Sequence, residues 1–169
     1  VAQRLFPTVP ELHADILKTY SDHYVANSVE DAWFEGVAEM LYSLKDEGIK
    51  LAVATGKSRK GLDRVLKQTN SLELFHATRA ASETRSKPDP LMLAEILAET
   101  GIHAHEAIMV GDTSYDLEMA LNIVMPSVGV SYGVHTSETL AKFNPLSIVN
   151  DVSSLHEFLL AKVQWKEAI

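Results

Sequence analysis

Cysteine is absent from all 169 residues, which excludes a disulfide framework and any thiolate metal centre. Positive charge is scarce too. Fifteen Lys and Arg stand against 23 Asp and Glu, a formal net charge of −8, so the chain lacks the strongly basic surface that holds nucleic acid. No apolar run approaches the ~18 residues of a membrane-spanning helix. Residues 1–10, VAQRLFPTVP, have neither the charged nor the apolar region of a secretory signal. A cysteine-free chain is compatible with a reducing compartment, and a cytoplasmic location is the expectation. Internal repeats and low-complexity tracts are missing as well. What remains, 46% hydrophobic and 22% charged residues, is an ordinary globular composition, and the length suits one compact unit with room for a small appendage.

Strand-like and helix-like segments alternate along the chain. Thr8-Val9-Pro10-Glu11 has the form of a capping box ahead of Leu12, Ile16, Leu17, Tyr20 and Tyr24, near helical spacing. Polar residues Asn27 to Asp31 read as a linker. Val37, Met40, Leu41 and Leu44 form the stripe of a second helix stopped at Gly48. Leu51 to Ala54 is apolar at every position, as in a parallel strand covered on both faces, and a helix with Leu62, Val65 and Leu66 follows. His76 to Ala80 is a weaker strand. Asp89 and Pro90 suit the start of a helix bearing Leu93, Ile96 and Leu97. Ala107 to Gly111 is a buried-type strand, followed by a helix with Leu117, Ala120, Leu121 and Val124. Ser127 to Val130 and Ser147 to Val149 complete the strands, and Ser154-Leu155-His156-Glu157 is expected to open the last helix. This alternation predicts an open, mostly parallel sheet with helices on both faces.

Ligands of such sheets bind beyond the carboxyl ends of the strands. Thr55 and Asp112 each follow a strand directly, and Lys87 lies in a loop before a helix. A hydroxyl, an ammonium and one or two carboxylates then converge, which suits phosphate chemistry. Hydroxyl and backbone amides bind phosphoryl oxygens, the lysine offsets their charge, and carboxylates are useful when they hold Mg²⁺. Asp112 and Asp116 are four apart across a loop and first helical turn, so both can address one ion.

Ala54-Thr55-Gly56-Lys57, Ser86-Lys87-Pro88-Asp89-Pro90 and Gly111-Asp112-Thr113-Ser114-Tyr115-Asp116 resemble, in order and spacing, three motifs of the haloacid dehalogenase superfamily. The likeness is closest to its phosphoglycolate-phosphatase-like members with a helical cap. It runs from about Val29 to Val152 and includes Val128-Gly129-Val130-Ser131-Tyr132-Gly133. The resemblance implies a three-layer Rossmann-like α/β core over 29–169, preceded by a remnant of the helical cap over 1–28. It also implies Mg²⁺-dependent hydrolysis of a small phosphate monoester through an aspartyl-phosphate, a phosphomutase being a variant. Thr55 would bind the transferring phosphoryl group with Gly56 and Lys57. Lys87 would stabilise its charge and orient the nucleophile. Asp112 would bind Mg²⁺, and Asp116 would support the metal or Lys87.

Two departures accompany the likeness. Relatives often have Ala-Gly-Met where this chain has Ile123-Val124-Met125. More consequentially, the family's nucleophile comes from an Asp-x-Asp-x-Thr motif on its first strand. The aspartates here are Asp15, Asp22, Asp31, Asp46, Asp63, Asp89, Asp112, Asp116 and Asp151, and no two are separated by a single residue. The expectation is a phosphatase fragment without its nucleophile strand, inactive by itself. That strand would lie between the one ending at Thr55 and the one ending at Asp112. A noncatalytic phosphate-binding or regulatory domain that lost the nucleophile is the alternative. A receiver domain is excluded by motif order, because its phosphorylated Asp precedes its Thr and Lys.

Other residues have plainer readings. Thr55 and Asp116 can serve as caps, and Lys87 as a solvated loop lysine. Lys57, Arg59, Lys60, Arg64 and Lys67 fit a solvated helix face, with Lys57 the best candidate for an anion contact. His103 and His105 lack further ligands for a metal, and Trp33 and Trp165 read as packing residues. Oligomeric state and substrate identity are not legible.

Overall fold

A computed structural model describes residues 8–12, 15, 16, 18, 19 and 33–164. The contacts divide the chain into Val1–Ala32 and Trp33–Ile169, a boundary a few residues beyond the expected 28/29. In the first unit a 3₁₀ turn covers Pro10–Leu12, and residues 15, 16, 18 and 19 are helical. Tyr20 and Tyr24 of the expected first helix lie outside the described residues, as does Trp165.

In the second unit the elements are α1 (Val37–Asp46), β1 (Ala52–Thr55), α2 (Arg59–Gln68), β2 (Ala77–Ala80), α3 (Leu91–Thr100), β3 (Met109–Gly111), α4 (Ser114–Leu121), β4 (Ser127–Val130), α5 (Ser137–Ala141), β5 (Ser147–Val149) and α6 (Val152–Gln164), alternating as the sequence predicts except for the short α5, which it does not announce. All strand pairs are parallel, with Ala52 opposite Ala77, Met109 opposite Ser127 and Val128 opposite Ser147. The strands form two sheets, β1-β2 and β3-β4-β5, and β1 does not pair with β3. The break falls where the nucleophile strand is expected.

Three layers follow from alternation along the strands. Ile108 and Val110 pack with Met40, Leu44 and Leu155 beneath α1 and α6, whereas Met109 packs with Met92, Leu93, Met119 and Ala120 beneath α3 and α4. Val53 meets Leu62 and Leu66 of α2, and Ala54 joins the α3–α4 side. Met92, Leu117 and Met119 are 0% exposed, and burial of each such side chain contributes about 1.5–3 kcal/mol.

Two helix ends differ from expectation. The last helix begins at Val152 rather than Ser154, because Asp151 caps it: its Oδ1 accepts the Ser154 N–H at 2.7 Å. That bond holds the Asp151 carboxyl below its ordinary value. At the end of α4, Met125 N donates to Ala120 O (2.9 Å) and Val124 N to Leu121 O (3.0 Å), a Schellman closure with Val124 at φ 57°. The comparable positions after α1 and α3 are Gly48 and Gly101, and after α2 the position is Asn70. A β-branched residue in this left-handed region is strained, and Val124 is 84% exposed, so no packing offsets the strain. Val124→Gly is expected to stabilise the chain by about 1 kcal/mol, a rise of roughly 2–4 °C in Tm, measured by thermal unfolding.

His103 precedes and His105 lies within a 3₁₀ turn, Ala104–Glu106, and their rings stack at 5.6 Å. Arg59 leaves the solvated face assigned to its helix. Its guanidinium holds Glu83 by two bonds of 2.7 and 2.6 Å and reaches Thr78 Oγ1 at 3.1 Å, tying α2 to the end of β2. The Glu83 bonds raise the Arg59 pKa, and the guanidinium with the Ala80 N–H holds the Glu83 carboxyl at about 2. A depressed carboxylate pKa stabilises the fold above the unfolded value and loses that contribution as pH falls through the folded one. The Tm advantage of wild type over Glu83→Gln should therefore be constant at neutral pH and shrink between pH 4.5 and about 2 in a pH series of melts.

Candidate active site

Each site residue is placed by the local physics of a strand end. Thr55 is the last residue of β1, and its Oγ1 accepts the Lys57 N–H at 3.1 Å, turning the chain over Gly56. Lys57 O accepts the Ala81 N–H at 3.0 Å, fastening this turn to the residue after β2. Gly56 is exposed, and Thr55 and Lys57 are partly buried. Ser58 then caps α2 by accepting the Gly61 N–H at 3.2 Å.

Lys87 lies in the loop from β2 to α3. Its peptide bond to Pro88 is cis. Asp89 Oδ1 accepts the Leu91 N–H at 3.0 Å from one residue ahead of the expected place, because Pro90 is the N-cap and α3 begins at Leu91. The Lys87 amine bonds Asp116 Oδ1 at 2.5 Å, with the two side chains only 17% and 7% exposed. Asn122 Nδ2 adds a bond to Pro88 O at 3.1 Å. The loop beyond the carboxyl end of β2 thus touches the segment beyond the carboxyl end of β3. The Lys87–Asp116 pair therefore links the two sheets across the break between them.

Asp112 and Asp116 are not equivalent. Both Asp116 oxygens are engaged: Oδ1 with Lys87, and Oδ2 with Thr113 N (3.1 Å) and Thr113 Oγ1 (2.6 Å). Thr113 is the N-cap of α4, and with Asp116 it forms a capping box. Asp116 therefore supports Lys87 and the helix end. Asp112 stands beyond β3 with Oδ2 accepting the Val134 N–H at 2.9 Å. Gly111 and Gly133 are required by close approach. A Cβ on Gly111 would fall 2.7 Å from Asp116 Cγ, and one on Gly133 2.7 Å from Asp112 Cγ, each closer still to the Cβ.

Two of the first amides of α4 are committed within the protein. Ser114 N donates to His135 Nδ1 at 2.9 Å, and Asp116 N faces Thr113 Oγ1 at 3.4 Å. This helix N-terminus therefore leaves the Ser114 and Asp116 amides no room for an outside acceptor. Tyr132, next to Gly133, has its hydroxyl pKa raised by burial and by the charges of Asp151 and Asp112. Among the described residues no group of three His, Cys, Asp or Glu could hold a metal ion. No described helix is long and apolar enough to cross a membrane.

Thr113, Val134 and His135 were not singled out from the sequence. Thr113 carried a visible signal, since Thr-x-x-Asp before an apolar run has capping-box form. The Val134 contact uses a backbone N–H that any residue but proline supplies.

A family profile described as haloacid dehalogenase-like hydrolase matches residues 3–130. The chain belongs to that family. It is 35% identical over 123 residues to "Probable phosphatase IndB" of Dickeya dadantii (strain 3937), covering 72% of this chain and 54% of the relative. A phosphoglycolate phosphatase of Psychrobacter arcticus is 29% identical over 128 residues, covering 75% of this chain and 56% of that protein. The chain thus spans little more than half the length of these two relatives. Among solved structures, a "predicted phosphatase from Clostridium acetobutylicum" superposes with a TM-score of 0.83 at 28% identity, over 95% of this chain and 75% of that one. The α/β class and the phosphatase kinship expected from the three motifs hold.

Proposed function

We propose that this chain is the core of a Mg²⁺-dependent phosphatase acting on a small phosphate monoester in the cytoplasm, completed by a nucleophile-bearing strand between β1 and β3. The break in the sheet carries this reading: among the described residues β1 and β3 each have a strand partner on one side only, and the break is bridged by Lys87 and Asp116. Strands pair at about 4.8 Å, so one inserted strand would satisfy both edges. Its aspartate would emerge among Thr55, Lys87 and Asp112.

The roles of this chain's own groups follow. Thr55 Oγ1 and the Gly56 and Lys57 amides would hold phosphoryl oxygens. The Lys87 ammonium, fixed by Asp116, would offset their charge and that of the entering carboxylate. The phosphoryl group would then pass to that carboxylate as its bond to the ester oxygen breaks and the alcohol leaves protonated. Water would next take it from the carboxylate, releasing inorganic phosphate and restoring the free carboxylate. The donor set fits Mg²⁺, since Asp112 is an oxygen ligand with Val134 bound to only one of its oxygens. When bound, Mg²⁺ supplies positive charge against the phosphoryl oxygens. The phosphoglycolate phosphatase relative supports a small anionic ester as substrate.

The site should bind inorganic phosphate before any strand is added. Titration of the isotope-labelled chain with phosphate and Mg²⁺ should shift the amide signals of Thr55 to Lys57 and Gly111 to Thr113 first. Shifts confined to other surfaces would contradict the assignment.

A further inference from the structure

We infer that His135 is a positioning residue for Asp112, holding the aspartate from a loop that carries none of the three motifs. The inference rests on the reading of Asp112 as the ion-binding carboxylate. The loop between β4 and α5 grips Asp112 twice: Val134 N donates to its Oδ2 at 2.9 Å, and His135 N to its backbone O at 3.0 Å. The His135 ring closes the grip from the other side, because Nδ1 accepts the Ser114 N–H at 2.9 Å. That amide belongs to the first residue of α4, which has no intrahelical partner. Residues 112 and 114 are thus held by one loop, with Thr113 between them tied to Asp116.

The geometry is over-determined. Gly133 leaves no room for a Cβ against Asp112, so the loop lies directly on that side chain. The Tyr115 ring stands 6.3 Å from the His135 ring. Ser131 fastens the start of the loop, its N–H to Val149 O at 3.0 Å and its Oγ to Asn150 Oδ1 at 2.6 Å, and Thr136 caps α5 at the far end. Nδ1 accepts and so carries no proton in this arrangement. With Val134 on Oδ2, the other oxygen, Oδ1, is the one offered to an ion. The loop therefore sets which oxygen faces the site, as outer-shell partners of metal ligands commonly do.

The test compares the labelled 169-residue chain with His135→Phe, which keeps ring volume but has no acceptor, and His135→Asn, whose Oδ1 stands near the place of Nδ1. In the ion-free chains, Ser114 amide exchange should be about tenfold faster in His135→Phe and near wild type in His135→Asn. In Mg²⁺ titrations read at Gly111 to Thr113, affinity should fall about tenfold in His135→Phe and return to within about twofold in His135→Asn. A merely space-filling role would leave affinity unchanged in His135→Phe, and rescue by asparagine would not occur. Unchanged Ser114 exchange in His135→Phe, equal ion affinity in all three chains, or an asparagine variant as weak as phenylalanine would overturn the inference. A wild-type chain that ignores Mg²⁺ would remove the ion reading of Asp112, while the Ser114 exchange would still decide whether His135 holds the loop.

Discussion

Joining a segment that bears an Asp-x-Asp-x-Thr strand to the N-terminus of this chain should turn background hydrolysis into phosphatase turnover. The gain should be about a thousandfold or more on a chromogenic aryl phosphate with Mg²⁺. In the proposed roles Thr55, Lys87 and Asp112 supply a hydroxyl, a fixed ammonium and an ion-binding carboxylate, and none of them is the covalent acceptor. Lys87 is held by Asp116, and Asp112 is held by Val134. Within the joined form, Asp112→Asn should lower turnover about a hundredfold, because one carboxylate charge is lost from the ion site. Mg²⁺-dependent turnover by the 169 residues alone would mean that the acceptor lies among them. A joined form that folds yet stays inactive would favour the noncatalytic phosphate-binding alternative.

Asp116→Ala should destabilise the chain by about 3–5 kcal/mol, because it leaves the largely buried Lys87 ammonium without its partner. Asp116 is 5% exposed, and its removal also frees the Thr113 N–H and hydroxyl at the start of α4. The effect should spread to both sheets, since the Lys87–Asp116 pair joins the β2–α3 loop to the end of β3. Asp116→Asn keeps the shape and an acceptor for Thr113 while removing the charge, and should cost less. Denaturant unfolding with matched probes in β1 and β4 checks both points. An alanine variant within 1 kcal/mol of wild type would show that the pair does little to hold the halves together.

These expectations show which parts of the molecule its sequence carries openly. Strand ends were readable because Leu51 to Ala54 and Ala107 to Gly111 are apolar throughout and stop at Thr55 and Asp112. The ordered trio of motifs was enough to place the break in the sheet, since the strands that flank it, β1 and β3, are marked by their own residues. The resemblance left Asp116 two roles, with the metal or with Lys87, and the spacing alone did not choose between them. Four-residue spacing lets both address one ion, and only the fold brings Lys87 across 29 positions to occupy Asp116. The His135 contact spans 21 positions and ends on a backbone amide, so no pattern announces it. The start of α6 was misplaced for a local reason: Asp151 and Ser154 can both cap, and the structure uses the carboxylate.

Amide hydrogen exchange at the two edges of the break tests the central claim most directly. Met109 N donates to Pro126 O, so the Val110 N–H and C=O point away from β4, toward the break. Alternate amides along Ala52–Thr55 likewise point away from β2. In the joined form, Val110 and those alternate β1 amides should gain about a hundredfold protection, while amides paired with β4 and β2 change little. Unchanged exchange at Val110 and along β1 would contradict the claim that the break between the two sheets is the seat of the catalytic strand.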